Sequence, residues 1–344
     1  MKPLVSILIP AYNAEKTVVE AIQSALAQTW PRKEIIVIND GSTDRTAEVA
    51  KQFGSRITLI STENRGLCAA LNEAYPRAQG DYIQELDADD LLAPGKIERQ
   101  LAALKDGDGP RVLLSSPWAP FYFRTRHARF VQNSLCQDLS PAEWLLRKMG
   151  ENLHMQNATW LVSRELAEAA GPWDVHLKYD QDGEYFSRVV LAAEQIRFVP
   201  GPAVYYRASG PGSISVIGNS NEKRESLLRS MKMHIQYLRS LEDSERVRKA
   251  CLVYMQNWYG SFYAVRPDLA AELQNMATQL HGSLEVPRLR WKYAWMAPLL
   301  GFKTAGRIQS ALPQLRSSFL RKFDKTLYTW EAARTTAGSS PDLP

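Results

Sequence analysis

Cysteine is scarce in this chain: three residues in 344, at positions 68, 136 and 251, odd in number and far apart. That pattern supports neither a disulfide framework nor a zinc knuckle, and it fits a reducing, cytoplasmic setting. Long apolar stretches are missing too, since no run approaches the roughly 20 residues that span a bilayer. The opening "MKPLVSILIPAYN" sets Lys2 before an apolar run, as a secretory leader does. The run is short and passes into Pro10, Asn13 and Glu15 without a small-residue cleavage site, so it reads as a first strand. Glycine-rich phosphate loops are absent. No G-x-G-x-x-G follows that strand, which argues against a dinucleotide cofactor, and no G-x-x-x-x-G-K-[ST] offers a P-loop.

Charge of one sign is also modest, a net +5 with 23% charged and 45% hydrophobic residues, the composition of a globular chain. The surplus is uneven. Residues 286–344 hold ten Lys or Arg against Asp324, Glu331 and Asp342, a surplus of seven, so residues 1–285 carry −2. A basic nucleic-acid binder would place its cations at the binding face. Here they gather in the C-terminal segment, which needs its own explanation.

What the first hundred residues do contain is an alternation of two periods. "LVSILI" (4–9), "EIIVI" (34–38), "ITLI" (57–60) and "YIQEL" (82–86) are short, β-branched-rich runs. Between them Val18, Val19, Ile22, Ala25, Leu26 and Trp30 recur at helical spacing with Asn13 placed to cap. Segments 46–53 and 67–78 are shorter helical candidates. This β-α-β-α-β-α-β order predicts an α/β fold, a mostly parallel sheet with helices on both faces, and ligands beyond the carboxyl ends of its strands. Three polar clusters fall at that edge: "PAYN" after the first strand, "NDGSTD" after the second and "DADD" after the fourth. Each alone reads as turn chemistry. Together they predict a site.

The stretches "SILIPAYNAEKTV", "IIVINDGSTDRT", "NRGLCAALN" and "GDYIQELDADD" resemble the successive nucleotide-binding motifs of the family 2 inverting glycosyltransferases of the GT-A fold. "GPWDVHLKYDQDGEYFSRV" (171–189) resembles that family's acceptor-side motif. The resemblance covers about residues 3–210. It implies an enzyme that moves a sugar from a nucleotide diphosphate, UDP by preference, to a hydroxyl of a glycan or lipid-linked acceptor, with no nucleic acid involved. A nucleotidyltransferase on a related scaffold is the alternative, but it calls for a glycine-rich phosphate loop that "PAYNAEKT" lacks.

A diphosphate leaving group needs its charge neutralised, which a hard cation held by carboxylates and phosphate oxygens does. Asp87 and Asp89, two apart in an extended segment, face one side. By the resemblance Asp89 is the ligand of a divalent metal, Mn or Mg, and Asp87 serves the metal or the ribose. Asp90 points elsewhere and reads as a cap for the helix starting near Pro94. Tyr12 offers a face to the base after Pro10, with Asn13 beside it, and Asp40 matches the position that accepts a hydrogen bond from uracil or thymine. Departures from the family pattern are Asn39 before Asp40, Leu71 in place of an Arg, and Gln181 in place of the Glu that usually precedes the base.

Inverting transfer needs a base for the acceptor hydroxyl. The resemblance assigns it to Asp182, with Asp180 and Glu184 as neighbouring candidate contacts. The same acids also suit the N-terminus of a helix. Arg207, in the Gly-rich stretch 205–215, is a candidate to close over the diphosphate. Trp118 is a candidate sugar platform, although core packing is the commoner fate of Trp118, Trp173 and the lone His154. The expected organisation is a catalytic domain over 1–215, a helical extension over 216–285 and a basic segment over 286–344. In that extension Leu227, Met231, Ile235, Leu238 and Leu241 form one stripe, and Val247, Cys251, Tyr254, Trp258 and Phe262 another. In the basic segment Leu315, Phe319 and Phe323 share a helical face, with Arg316, Arg321, Lys322 and Lys325 supplying charge. That is the pattern of a helix lying peripherally on the anionic inner face of the cytoplasmic membrane, and equally that of an ordinary solvated surface. The final stretch, 335–344, reads as a disordered tail.

Overall fold

Val5–Ala11 is buried along its whole length because it is the central strand of the sheet, covered on both faces, which is why it is a continuous apolar run rather than an alternating one. The computed structural model describes residues 2–201, 203–208, 216–218, 220–263, 265–286, 299 and 318–331. In chain order its elements begin β1 (Val5–Ala11), α1 (Val18–Leu26), β2 (Lys33–Asp40), α2 (Thr46–Lys51), β3 (Thr58–Thr62), α3 (Leu67–Ala74), β4 (Tyr82–Glu85), β5 (Leu91–Leu92), α4 (Lys96–Ala102), β6 (Val112–Ser115) and β7 (Trp118–Phe121). They continue with α5 (Pro141–Gly150), β8 (Val162–Ser163), α6 (Arg164–Ala170), α7 (Gln181–Ala192), β9 (Gln195–Phe198), β10 (Val204–Arg207), α8 (Asn221–Leu241), α9 (Glu245–Tyr263) and α10 (Pro267–Gln279). Residues 318–331 are helical as well.

The main sheet has the order β3-β2-β1-β4-β8, with its first four strands parallel and β8 antiparallel to β4. The chain winds outward from β1 to β3 and then crosses to β4 on the other side of β1, so the strand order reverses beside β1, where such sheets bind ligands. Successive residues of β1 and β2 serve opposite cores. Val5, Ile7, Ile9, Ile35 and Val37 pack with α1, α2 and α4, while Leu8, Ile36 and Ile38 pack with α3 and the later helices. A second, three-stranded sheet, β5-β10-β7, abuts the end of β4.

The helical stripes beyond residue 216 are buried as their spacing predicts. Leu227, Met231, Ile235 and Leu238 of α8 join Val247, Cys251, Tyr254 and Phe262 of α9 in the same core as α5, α6 and α7. Leu241, at the end of α8, departs from its stripe and is exposed. Leu315, Arg316 and the tail at 335–344 lie outside the described residues, as does the Gly-rich stretch 209–215. Among the described residues no helix is long and apolar enough to cross a membrane.

Candidate functional site

The loops beyond β1, β2 and β3 are tied into one platform. Asn13 adopts a left-handed conformation (φ 49°), and its side-chain oxygen accepts from the Thr43 amide at 2.9 Å, while its own amide donates to Ser42 Oγ at 3.0 Å. It therefore does not cap α1, whose N-cap is Thr17. The expected cap instead clamps the loop after β2, because an Asn in this conformation offers its oxygen across the sheet edge rather than to its own helix. Gly41 (φ +63°) needs to be glycine, since a Cβ there would meet the Asn64 nitrogen at 2.4 Å. Asp40 is buried, and its two carboxylate oxygens accept from the amides of Arg65 and Gly66, both at 2.9 Å. Tyr12 stands 52% exposed above this platform, next to the buried Pro10.

The acidic turn follows β4. The strand ends at Glu85, and the Asp90 amide donates to the Asp87 carbonyl at 3.0 Å, so "DADD" is a tight turn rather than the extended segment expected. The sorting of side chains is nevertheless as anticipated: Asp87 and Asp89 are half-buried, while Ala88 and Asp90 are buried. Asp90 does not cap α4, whose N-cap is Gly95 with no side-chain bond. Its carboxylate accepts from the Arg207 amide at 2.7 Å and from Gln156 Nε2 at 2.7 Å, a burial that only long-range donors make tolerable.

Arg207 differs most from expectation. It is the last residue of β10, buried, with Nε donating to the Asp89 carbonyl at 2.7 Å, Nη1 to the Tyr122 carbonyl at 3.3 Å and Nη2 paired with Glu20. The guanidinium also stacks over Phe121 at 4.6 Å. Instead of closing over a diphosphate, it braces the turn that carries Asp89. Glu184 is likewise engaged in the fold. It is buried, bidentate to Arg188 (2.7 and 2.9 Å) and accepts from Tyr237 Oη at 2.8 Å, so the expected ligand contact gives way to a link between α7 and α8.

Asp180 precedes α7 in a left-handed conformation (φ 59°), its carboxylate folded over the first turn where only Gly183 leaves room, and it accepts from Ser230 Oγ at 2.8 Å. Asp182 lies in that first turn, where the helix dipole favours it. Of the three acids in this run it alone has no hydrogen bond or ion pair among the described residues.

Electrostatics show which of these groups converge. Burial and then the charge of Asp89 push the Asp87 carboxyl up to about 7. Asp182, 95 positions further along the chain, raises it too, against the 3.1 Å hydrogen bond from Asn157. Burial raises Glu85 and Asp90 well above the carboxylate range, with Asp87 adding to both. Opposite them, Lys148 of α5 reaches the Gly183 carbonyl (3.4 Å) and Ser187 Oγ (3.2 Å), and its pKa is lowered by burial against the pull of Asp180, Asp182 and Glu184. His154 is exposed, yet desolvation by the protein around it lowers its pKa against the attraction of Asp182. Trp118 packs edge-on to His154 and to Tyr206, each at 5.8 Å.

Burial pushes Asp180 up to about 6, with Lys148 opposing. A carboxyl raised in the fold contributes stability that is complete below about pH 4 and is lost as pH rises through its folded value. Unfolding free energies from urea titrations should therefore fall more between pH 4.5 and 7.5 for the parent than for Asp180→Asn, by roughly 2 kcal/mol. Equal slopes would contradict this.

The donor set suits a divalent cation. Asp87 and Asp89 are hard oxygen donors, held close enough to repel, and Glu85 Oε2 is buried behind them without a partner among the described residues. No cluster of three His, Cys, Asp or Glu forms a complete cage among the described residues, so phosphate oxygens and water would complete the shell, as Mg²⁺ and Mn²⁺ tolerate. Sequence reasoning missed Lys148, Gln156 and Asn157. The adjacent polar pair in the otherwise apolar "HMQNATWLV" was the available signal.

A parallel sheet that delivers an Asp-x-Asp turn beyond β4, beside an acid-bearing helix start, is the architecture of the GT-A glycosyltransferases, and solved members superpose on it. Residues 6–139 match the model of Glycosyl transferase family 2, and this part of the chain belongs to that family. An uncharacterised glycosyltransferase of Rickettsia typhi is 37% identical over 187 residues, 52% of this chain and 56% of that protein. Another from Rickettsia conorii is 44% identical over 247 residues, 71% of this chain and 40% of that protein. The chain thus spans about half, or less, of the length of these curated relatives. TarS of S. aureus (residues 1–349), solved with UDP-GlcNAc, superposes with a TM-score of 0.61 at 16% identity, covering 80% of this chain and 81% of that one. The mannosyltransferase PcManGT of Pyrobaculum calidifontis, solved with GDP-Man and Mn²⁺, gives 0.54 at 18% identity over 99% and 89%. At such identities the likeness is one of fold.

Proposed function

We propose that the chain is an inverting glycosyltransferase that moves a sugar from a nucleotide-diphosphate donor, a UDP-sugar by preference, to a hydroxyl of a glycan or lipid-linked acceptor. The reading is supported by the Asp87 and Asp89 pair at the turn beyond β4 together with Asp182 in the first turn of α7, whose charge adds to the burial and the Asp89 charge that raise the Asp87 carboxyl. Tyr12 and Pro10 form the wall for the base, and Asp40 and Asn13 hold the platform beneath it, with the outer lone pairs of Asp40 left for the ring N–H of uracil. The nucleotide-sugars with which TarS and PcManGT were solved support the donor class.

Asp87 and Asp89 would hold a divalent cation, which neutralises the departing diphosphate when bound. Asp182 takes the proton from the acceptor hydroxyl as that oxygen attacks the anomeric carbon from the face opposite the leaving group. The charge of Asp182 reaches His154 and Lys148, and Trp118 packs edge-on to His154. Incubation with α-linked UDP-sugars and a mixed acceptor pool should release UDP and yield β-linked product by NMR. An α-linked product would overturn the inverting assignment, and absence of UDP release from every donor would overturn the transfer reading.

A further inference from the structure

The helix at 318–331 has two faces of different character. The inner one is docked: Asp324 accepts from Arg124 Nε at 2.7 Å and from the Phe123 amide at 2.9 Å, Glu331 pairs with Arg124 and Arg126, and Arg321 and Tyr328 pack on the Phe123 ring. Arg124 and Asp324 are only 13% and 15% exposed as side chains, so this is a seated contact with a defined orientation. On the opposite face, 100° per residue brings Phe319, Phe323 and Trp330 within about 40° of one another. They are 71%, 57% and 53% exposed, with Leu320 on their shoulder. Lys322 and Lys325 are exposed along the other flank.

We infer that this outer face is a docking surface for an anionic lipid bilayer, on which the helix lies in the plane of the headgroups. Bulky aromatics on one side with lysines beside them match what such an interface binds, apolar rings below the headgroups and cations at them. The seven-charge surplus of residues 286–344 adds attraction of the same sign, where a second copy of the chain would bring repulsion. Among the described residues no helix is long and apolar enough to cross the bilayer. Arg124 lies three residues beyond β7, whose Trp118 packs at the cleft, so lipid held on this helix would set the cleft at a fixed height above the membrane. The inference does not depend on sugar transfer, and its test reads no activity.

Flotation of the full chain with vesicles tests it. The parent should float with phosphatidylglycerol-containing vesicles at low salt, and weakly with pure phosphatidylcholine. Lys322→Gln with Lys325→Gln should weaken binding about 25-fold, at about fivefold for each cation, and the difference should shrink at high salt. Replacing Phe319 and Phe323 by Ser should weaken it by more than about thirtyfold at any salt, with unchanged thermal unfolding because the docked face is untouched. A double phenylalanine variant that floats like the parent, or a parent that stays at the bottom at low salt, would overturn the inference. So would light scattering that shows a dimeric parent and a monomeric phenylalanine variant with no lipid difference, which would make the stripe a self-association surface.

Discussion

Asp182→Asn is expected to bind UDP as tightly as the parent and to transfer sugar about 10²- to 10⁴-fold more slowly, the usual cost of losing a general base. The asparagine keeps the shape and the place in the first turn of α7 but loses the basic oxygen. Its neighbours are committed to the fold, Glu184 to Arg188 and Tyr237, Asp180 to Ser230, which leaves Asp182 to receive a proton. The nucleotide contacts proposed above arise from the loops beyond β1, β2 and β4, so UDP affinity by titration calorimetry should not move. Glu184→Gln should instead lower stability with little direct effect on the chemical step. If Asp182→Asn kept near-normal turnover while Asp180→Asn lost it, the base would be Asp180.

Asp89→Ala is expected to lower turnover about 10³-fold, the equivalent of the several kcal/mol that a Lewis acid supplies to a departing diphosphate. It should also remove the dependence of UDP affinity on Mn²⁺. The fold should survive, because the Asp89 carbonyl that Arg207 Nε holds is kept in the variant. Relief of repulsion should bring Asp87 back toward the ordinary carboxylate range, since the charge of Asp89 is the largest cause of its elevation after burial. A variant with undiminished Mn²⁺-dependent UDP affinity would remove Asp89 from the metal site.

The strands were legible because a parallel sheet covered on both faces demands β-branched runs, and the four runs lie within two residues of β1 to β4. The polar clusters were legible because three of them fall at the same edge of one sheet. What misled was local reasoning about single polar residues. Asn13 and Asp90 look like caps by spacing, yet their partners are 30 and 117 positions away. Arg207 looks like a mobile cation because glycines follow it, while β10 buries it against Asp89 and Glu20. Glu184 had a visible clue in Arg188, four residues on, the spacing of a helical ion pair. Lys148, Gln156 and Asn157 reach the site only through tertiary packing, which no periodicity encodes.

The claim that this cleft binds a nucleotide-sugar through a cation on Asp87 and Asp89 is tested most directly by thermal unfolding against a panel of sugar nucleotides, with and without Mn²⁺, for the parent and Asp89→Ala. A ligand at a hundred times its Kd adds about 2.7 kcal/mol to the folded state, ample for detection. At least one UDP-sugar should stabilise the parent in Mn²⁺, with the shift lost in chelator and in the variant. Stabilisation that persists in chelator and in Asp89→Ala, or none with any sugar nucleotide, would contradict the account.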